Sequence, residues 1–388
     1  MKSDVCNVQL KQTRKVSYAE GALLGVVLVI ATKFCTLPSV LAGLAKSKAV
    51  WAAAILTSVE FSTAFFSLKT ARRGGLQALS LPNGVKVGFY LFFLLFFAFK
   101  LAAFTREIST YYALSLFENA PVLPIGILLL AACSLLSSKG YAAVGRMMEI
   151  FVWLFVFVFL FVVIFTRTEG NLFNALAIVN PDCSELGKGV FGGLGWFGDT
   201  AVLSLLDLSG VQTASQKETN LPTPMERNKA KRRIAFAAAL FCFLTIVIFY
   251  AVFTSVYGNA AKMTDYAFIK LSAFKANTDE LGSADWPVIV LWSIVTTLYL
   301  TLILLSGKEC LYGAIGKDGS TKNAVFPYLL LGGAALIFAA VFMDEEGDYQ
   351  MVMTKAASVI SLLAIAATIG LGVYSLVKTK GENNEKQN

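Results

Sequence analysis

Histidine is absent from all 388 residues, and with it go the commonest catalytic base, pH switch and metal ligand. Charge is scarce as well. Asp, Glu, Lys and Arg make up 15% of the chain, where a soluble domain carries about 25%. There is no glycine–lysine nucleotide loop, no metal-ligand spacing and no nucleophile placed beside a base, so neither an enzyme nor a bound cofactor or metal is expected. Six cysteines (Cys6, Cys35, Cys133, Cys183, Cys242 and Cys310) fit no metal motif. Only Cys183 is expected in an outward-facing loop, so no disulfide is expected. A removable signal peptide is not expected either. Met1–Tyr18 is polar, with Lys2, Lys11, Arg14 and Lys15, and the first apolar segment must act as the targeting signal.

What is present is hydrocarbon. The apolar fraction is 56% and Phe alone supplies 31 residues. Gly88–Phe99 and Ile150–Phe165 are apolar on every side, which leaves no polar face to turn to water. The fold class expected is an all-α polytopic membrane protein, one transmembrane domain over residues 1–388. Spans of about 20 residues fall at Ser17–Leu44, Ala49–Leu68, Val85–Phe104, Val122–Ser138, Tyr141–Phe165, Lys188–Val211, Ile234–Val256, Trp286–Ser306, Val325–Phe342 and Thr354–Val377. That makes ten spans within 17–377, preceded by the segment 1–16 and followed by the tail 378–388. With the N-terminus inside, 22 of the 33 Lys and Arg residues lie on the cytoplasmic side. Both termini are therefore expected in the cytoplasm. The net charge of +8 reflects this orientation, and no nucleic-acid partner is expected. Tyr266–Phe274 reads as a short surface helix over the outer mouth.

Two spans are interrupted. In the sixth, Val190–Asp199 holds four glycines and a carboxylate. Glycine costs about 1 kcal/mol against alanine in a helix interior. In the first, Thr32-Lys33-Phe34-Cys35-Thr36-Leu37-Pro38 breaks the apolar run, and Pro38 disfavours helix at Leu37. At 1.5 Å per residue, Lys33 and Asp199 both fall in the central part of the bilayer. The interruptions lie five spans apart. Because five is odd, the halves run in opposite senses, the arrangement of a 5+5 inverted repeat with broken helices 1 and 6. Broken helices expose amides suited to a carboxylate and carbonyls suited to an ammonium. The candidate ligand contacts are Thr32, Lys33, Phe34, Cys35 and Thr36 on the first break, and Gly192, Gly193, Gly195, Trp196, Phe197 and Asp199 on the sixth.

Intramembrane charges are costly unless paired or watered. Lys33, Glu60, Lys100 and Asp199 lie within spans. Two pairings of Lys33 are open at this level: with Asp199 across the breaks, or with Glu60 on the adjacent helix. Lys100, within about a turn of the outer end, is expected to snorkel. Arg146 and Glu149 share a face at the start of span five, where they form either an inner gate or a helix-end ion pair.

Several stretches carry a family resemblance. Thr36-Leu37-Pro38 followed by Lys48-Ala49-Val50-Trp51 is similar to the first-span proline and second-span tryptophan of the membrane-embedded B subunits of bacterial spore germinant receptors. These form the spore permease branch of the amino acid/polyamine/organocation transporter superfamily. Gly140–Ile150 resembles their glycine, arginine and glutamate pattern entering span five; Trp196-Phe197-Gly198-Asp199 and Trp292 fall where that family has its sixth-helix glycine and eighth-span tryptophan. The chain departs from it at Lys33, where relatives are small or glycine-rich, and at Tyr266-Ala267, where a tyrosine-proline is usual. The resemblance implies a LeuT/APC-like fold, a small nutrient ligand such as an amino acid, residence in the spore inner membrane, and partner A and C subunits. The expected function is a nutrient-sensing receptor subunit. The alternatives are an ion-coupled secondary transporter of amino acids or amines, and an assembly subunit with a degenerate site.

Overall fold

A computed structural model describes residues 16, 18–115, 120–166, 183–208, 224–273, 285–316 and 325–385. Cys6, the basic N-terminal residues and Lys217 lie outside the described residues, whereas the other five basic residues after the sixth span fall on the helix Pro224–Tyr257. Every regular element described is helical. Six helices are long and apolar enough to cross a membrane by length and composition, and three more apolar helices are shorter. The short ones follow from chain breaks and proline-marked starts rather than from a lack of apolar residues.

The first half begins with a broken span: α1 (Tyr18–Ile30) and α2 (Leu37–Leu44). Pro38 sits in the first turn of α2, where its missing N–H leaves nothing unsatisfied. Then come α3 (Ala49–Ala71), the single turn α4 (Gly75–Ala78), α5 (Asn83–Ser115), α6 (Val122–Ser137) and α7 (Tyr141–Thr166). The second half opens on α8 (Cys183–Gly193), continued by 3-10 turns at Leu194–Trp196 and Asp199–Leu205. It proceeds through α9 (Pro224–Tyr257), α10 (Ala267–Ala273), α11 (Asp285–Ile315) and α12 (Phe326–Phe342). The last span comprises α13 (Glu346–Met351), a π-turn at Val352–Ala357, and α14 (Ser358–Glu385). Counted with the interrupted α8 segment, these nine apolar helices match the ten expected passes among the described residues, in two sets of five that each open on a broken span.

The third span is longer than its charges imply. Arg106 and Glu107 are the apparent end of the apolar run, yet α5 continues to Ser115. Both charges are satisfied within the protein. Arg106 donates to the carbonyls of Met343 (2.8 Å) and Asp344 at the end of α12, and Glu107 accepts hydrogen bonds from the first break. Tyr266–Phe274 also differs from a surface helix. Ala267, Phe268 and Leu271 of α10 are buried, and the Ala267 and Phe268 amides donate to the carbonyls of Cys35 and Phe34, each at 3.0 Å. The segment is drawn inward because the first break leaves those carbonyls without helical partners.

Candidate functional site

The two breaks meet at the centre of the bundle. After Trp196 the chain turns extended at Phe197 and left-handed at Gly198 (φ +91°), a conformation that glycine adopts without a Cβ penalty. The interruption frees the carbonyls of Gly195, Trp196 and Phe197 on one side and the amides of Gly198 and Thr200 on the other. Side chains from three other spans take them all. Lys33 Nζ donates to Trp196 O, to Thr32 Oγ1 at 2.7 Å and to Asp199 Oδ2 at 2.9 Å. Lys100 Nζ donates to Gly195 O and Phe197 O, each at 2.9 Å, and lies 2.8 Å from Asp199 Oδ1. Glu60 accepts from the Gly198 amide and, at 2.9 Å, from the Thr200 amide.

Asp199 therefore bridges two ammonium groups, and all four charged side chains are fully buried. The formal charges cancel. Glu60 acts as the missing cap of the 3-10 turn that comes after Gly198, where the positive end of a helical turn favours a carboxylate. Each Lys covers carbonyls that lipid could not satisfy. Glu60→Gln keeps an acceptor but loses the charge on two hydrogen bonds, and about 2 kcal/mol of stability is expected to go with it. Thermal unfolding in detergent micelles measures this; an unchanged midpoint contradicts the capping role.

One choice left open above is resolved, and one expectation needs correction. Lys33 pairs with Asp199, whereas Glu60 turns to the amides of the sixth span. Lys100 does not snorkel. Its helix runs fifteen residues beyond it, so it sits at mid-depth and completes the ion pair.

The remaining candidate contacts divide. Phe34 is caged by aromatic rings, with Phe249 at 4.4 Å and Phe159, Phe268 and Trp292 each at 5.9 Å between centroids. Cys35 Sγ accepts from Trp292 Nε1 at 3.2 Å. Thr36 donates its amide (3.0 Å) and its hydroxyl to Glu107 Oε1. Gly192 and Gly193 face neighbouring helices: an added Cβ would meet Leu44 Cδ1 at 2.4 Å or Leu56 Cδ1 at 2.6 Å. The glycine stretch is thus both interrupted and closely packed. Two cavities of ≈440 and ≈460 Å³ lie elsewhere, one bordered by Gln77, Asn83, Lys86 and Glu309, the other by Tyr112, Pro121 and Thr297. No residue of the breaks lines either.

Arg146 and Glu149 are brought to neither break. Both are exposed, and no ion pair joins them among the described residues. The face of α7 that meets the bundle carries Val144, Gly145 and Met148, with Gly145 packed on Glu20, so the two charges point away from it. Residues missed by the sequence reading include Glu107, Tyr349 and Ser358. Glu107 was detectable: Ile108–Leu114 continues the apolar run beyond the charged pair.

Two interrupted spans meeting at mid-bundle, five spans apart, define a polytopic helical membrane protein of transporter fold. No protein-family model matches the chain, and no curated protein is similar enough to match it. Fifty-three chains of solved structures do match. One is the manganese transporter of Eremococcus coleocola, solved in complex with an aromatic bis-isothiourea substituted compound. It shares 13% identity at a TM-score of 0.56, over 92% of this chain and 78% of that one. At that identity the likeness establishes the fold alone.

Proposed function

We propose that this chain is the nutrient-sensing B subunit of a spore germinant receptor. In this reading it binds a small molecule, an amino acid, where its two breaks meet, and passes the change of shape to A and C subunits. Its place is the spore inner membrane, with both termini in the cytoplasm. The observation that carries the reading is the bridging of Asp199 by Lys33 and Lys100, with Glu60 on the amides opposite. An amino acid carries the same two groups. Its ammonium can take over carbonyls held by a lysine, and its carboxylate can take over amides held by Glu60. Ligand binding then exchanges one set of internal bonds for another, and shifts the conformational equilibrium by its differential affinity for the two states. A charge network whose bonds are exchangeable in this way suits a switch with two stable settings.

Two assays test it. Purified protein in nanodiscs is expected to gain thermal stability with at least one member of an amino-acid panel. Proteoliposomes are expected to show no gradient-driven accumulation of the same compound; robust accumulation contradicts the receptor reading. Because both lysines hold the same carboxylate, Lys33→Ala and Lys100→Ala are expected to weaken the thermal response to a similar degree.

The second reading is an ion-coupled secondary transporter of amino acids or amines, favoured by the fold shared with a solved transporter. Accumulation in the proteoliposome assay supports it. The third is an assembly subunit with a degenerate site, and a panel without any stabilising compound supports it.

A further inference from the structure

The last span meets the sixth break directly and reaches the first through Glu107 of the third span. Tyr349, buried on α13, donates its hydroxyl to Glu107 Oε2 at 2.8 Å. The other oxygen of that carboxylate holds the amide and hydroxyl of Thr36, the residue that precedes α2. Thr36 makes no side-chain cap of its own, so Glu107 supplies the anion at the start of the outer half of the first span. Nine residues after Tyr349, Ser358 Oγ accepts from the Gly195 amide at 3.2 Å and lies 3.3 Å from both the Gly192 and Met353 carbonyls. At Gly195 the backbones nearly touch, since an added Cβ would sit 2.2 Å from Met353 O.

Between these two contacts lies the π-turn Val352–Ala357. A π-turn carries one residue more than the α-helix needs, and such turns persist where they serve a purpose. Shifting the extra residue along the helix rotates the residues beyond it by about 100°. A π-turn that can shift its register, tied through Glu107 to the first break and directly to the sixth, is the kind of element through which two sites influence each other.

We infer that Tyr349 and Ser358 are positioning residues, and that the π-turn between them couples the first break to the sixth. Loss of the Tyr349–Glu107 bond loosens Thr36 and also frees the register of the turn, which releases Ser358 from Gly195. Loss of the Ser358 bonds acts in the reverse direction. The coupling is independent of which ligand the protein takes.

Hydrogen exchange on the full-length protein in nanodiscs tests this without any ligand. Tyr349→Phe deletes one hydroxyl. Amide exchange is expected to quicken about threefold to tenfold in peptides covering Thr36 and α2, the range set by losing one hydrogen bond. The coupling predicts a similar rise across Gly192–Phe197, the stretch that Ser358 holds at the Gly195 amide. Ser358→Ala is expected to quicken both regions as well. Deleting Lys355, an exposed residue of the π-turn, should return the turn to α geometry and abolish the distant effect of Tyr349→Phe. Should the deletion variant fail to elute as a single species, the two point variants decide the matter. If each quickens exchange only at its own break, the coupling is overturned.

Discussion

Asp199→Asn is expected to lower the stability of the protein by about 3–5 kcal/mol, the cost of breaking a buried ion pair from one side. The carboxylate lies within 2.9 Å of two ammonium groups, Lys33 and Lys100. None of the three is exposed, so water cannot replace the lost charge. Lys100→Met on its own leaves Asp199 paired with Lys33 and should cost less. The informative variant is the double one. With Lys100→Met and Asp199→Asn combined, one buried cation fewer remains uncompensated. The double variant is expected to recover up to about 3 kcal/mol relative to the sum of the single effects. Thermal or denaturant unfolding in micelles gives the four midpoints of the cycle. Strict additivity contradicts the shared ion pair.

Gly195→Ala is expected to be the most damaging glycine substitution in the sixth span, at about 3 kcal/mol or more. The methyl group would sit 2.2 Å from the Met353 carbonyl oxygen and 3.0 Å from the Ala357 methyl. The first obstacle is backbone, which cannot swing aside as a side chain can. Gly192 and Gly193 meet the flexible ends of Leu44 and Leu56, so alanine there should be tolerated better. Gly187 has nothing within 4 Å of an added methyl. Gly187→Ala should be neutral or stabilise the helix by up to about 1 kcal/mol. The measurement is the unfolding midpoint of the four variants. The close approach predicts that Gly195→Ala falls furthest; a ranking led by Gly187→Ala contradicts it.

Much of this arrangement is legible in the residues. Ten passes follow from apolar runs and their gaps, and the two breaks from Pro38 and the glycines around Gly195. That Lys33 and Asp199 lie at similar depth follows from the rise of a helix. Their contact, however, depends on how helices rotate about their axes. An α-helix that is apolar all round, like α5, carries no periodic signal to say which side faces inward, so the sequence does not aim Lys100. Its depth is misleading for a second reason: Arg106 and Glu107 look like the edge of a membrane until their partners, just after α12 and just before α2, are known. Those partners come from remote parts of the chain. The same holds for Ser358, an ordinary serine in an apolar helix whose importance lies in a π-turn with no composition of its own. Arg146 and Glu149 show the same limit of helix rotation. Their spacing is right for a shared face, but the face is the outer one.

The bond exchange around Asp199, at the carbonyls held by the lysines and the amides held by Glu60, is the centre of the account, and one comparison addresses it directly. Thermal stabilisation by an amino-acid panel is measured in nanodiscs for the unsubstituted protein and for the Lys100→Met, Asp199→Asn double variant, which retains a balanced centre. The account predicts a rise in midpoint for the unsubstituted protein with at least one amino acid, and no rise with that compound for the double variant. An equal rise in both would contradict it, because the ligand would then be held somewhere other than the meeting point of the two breaks.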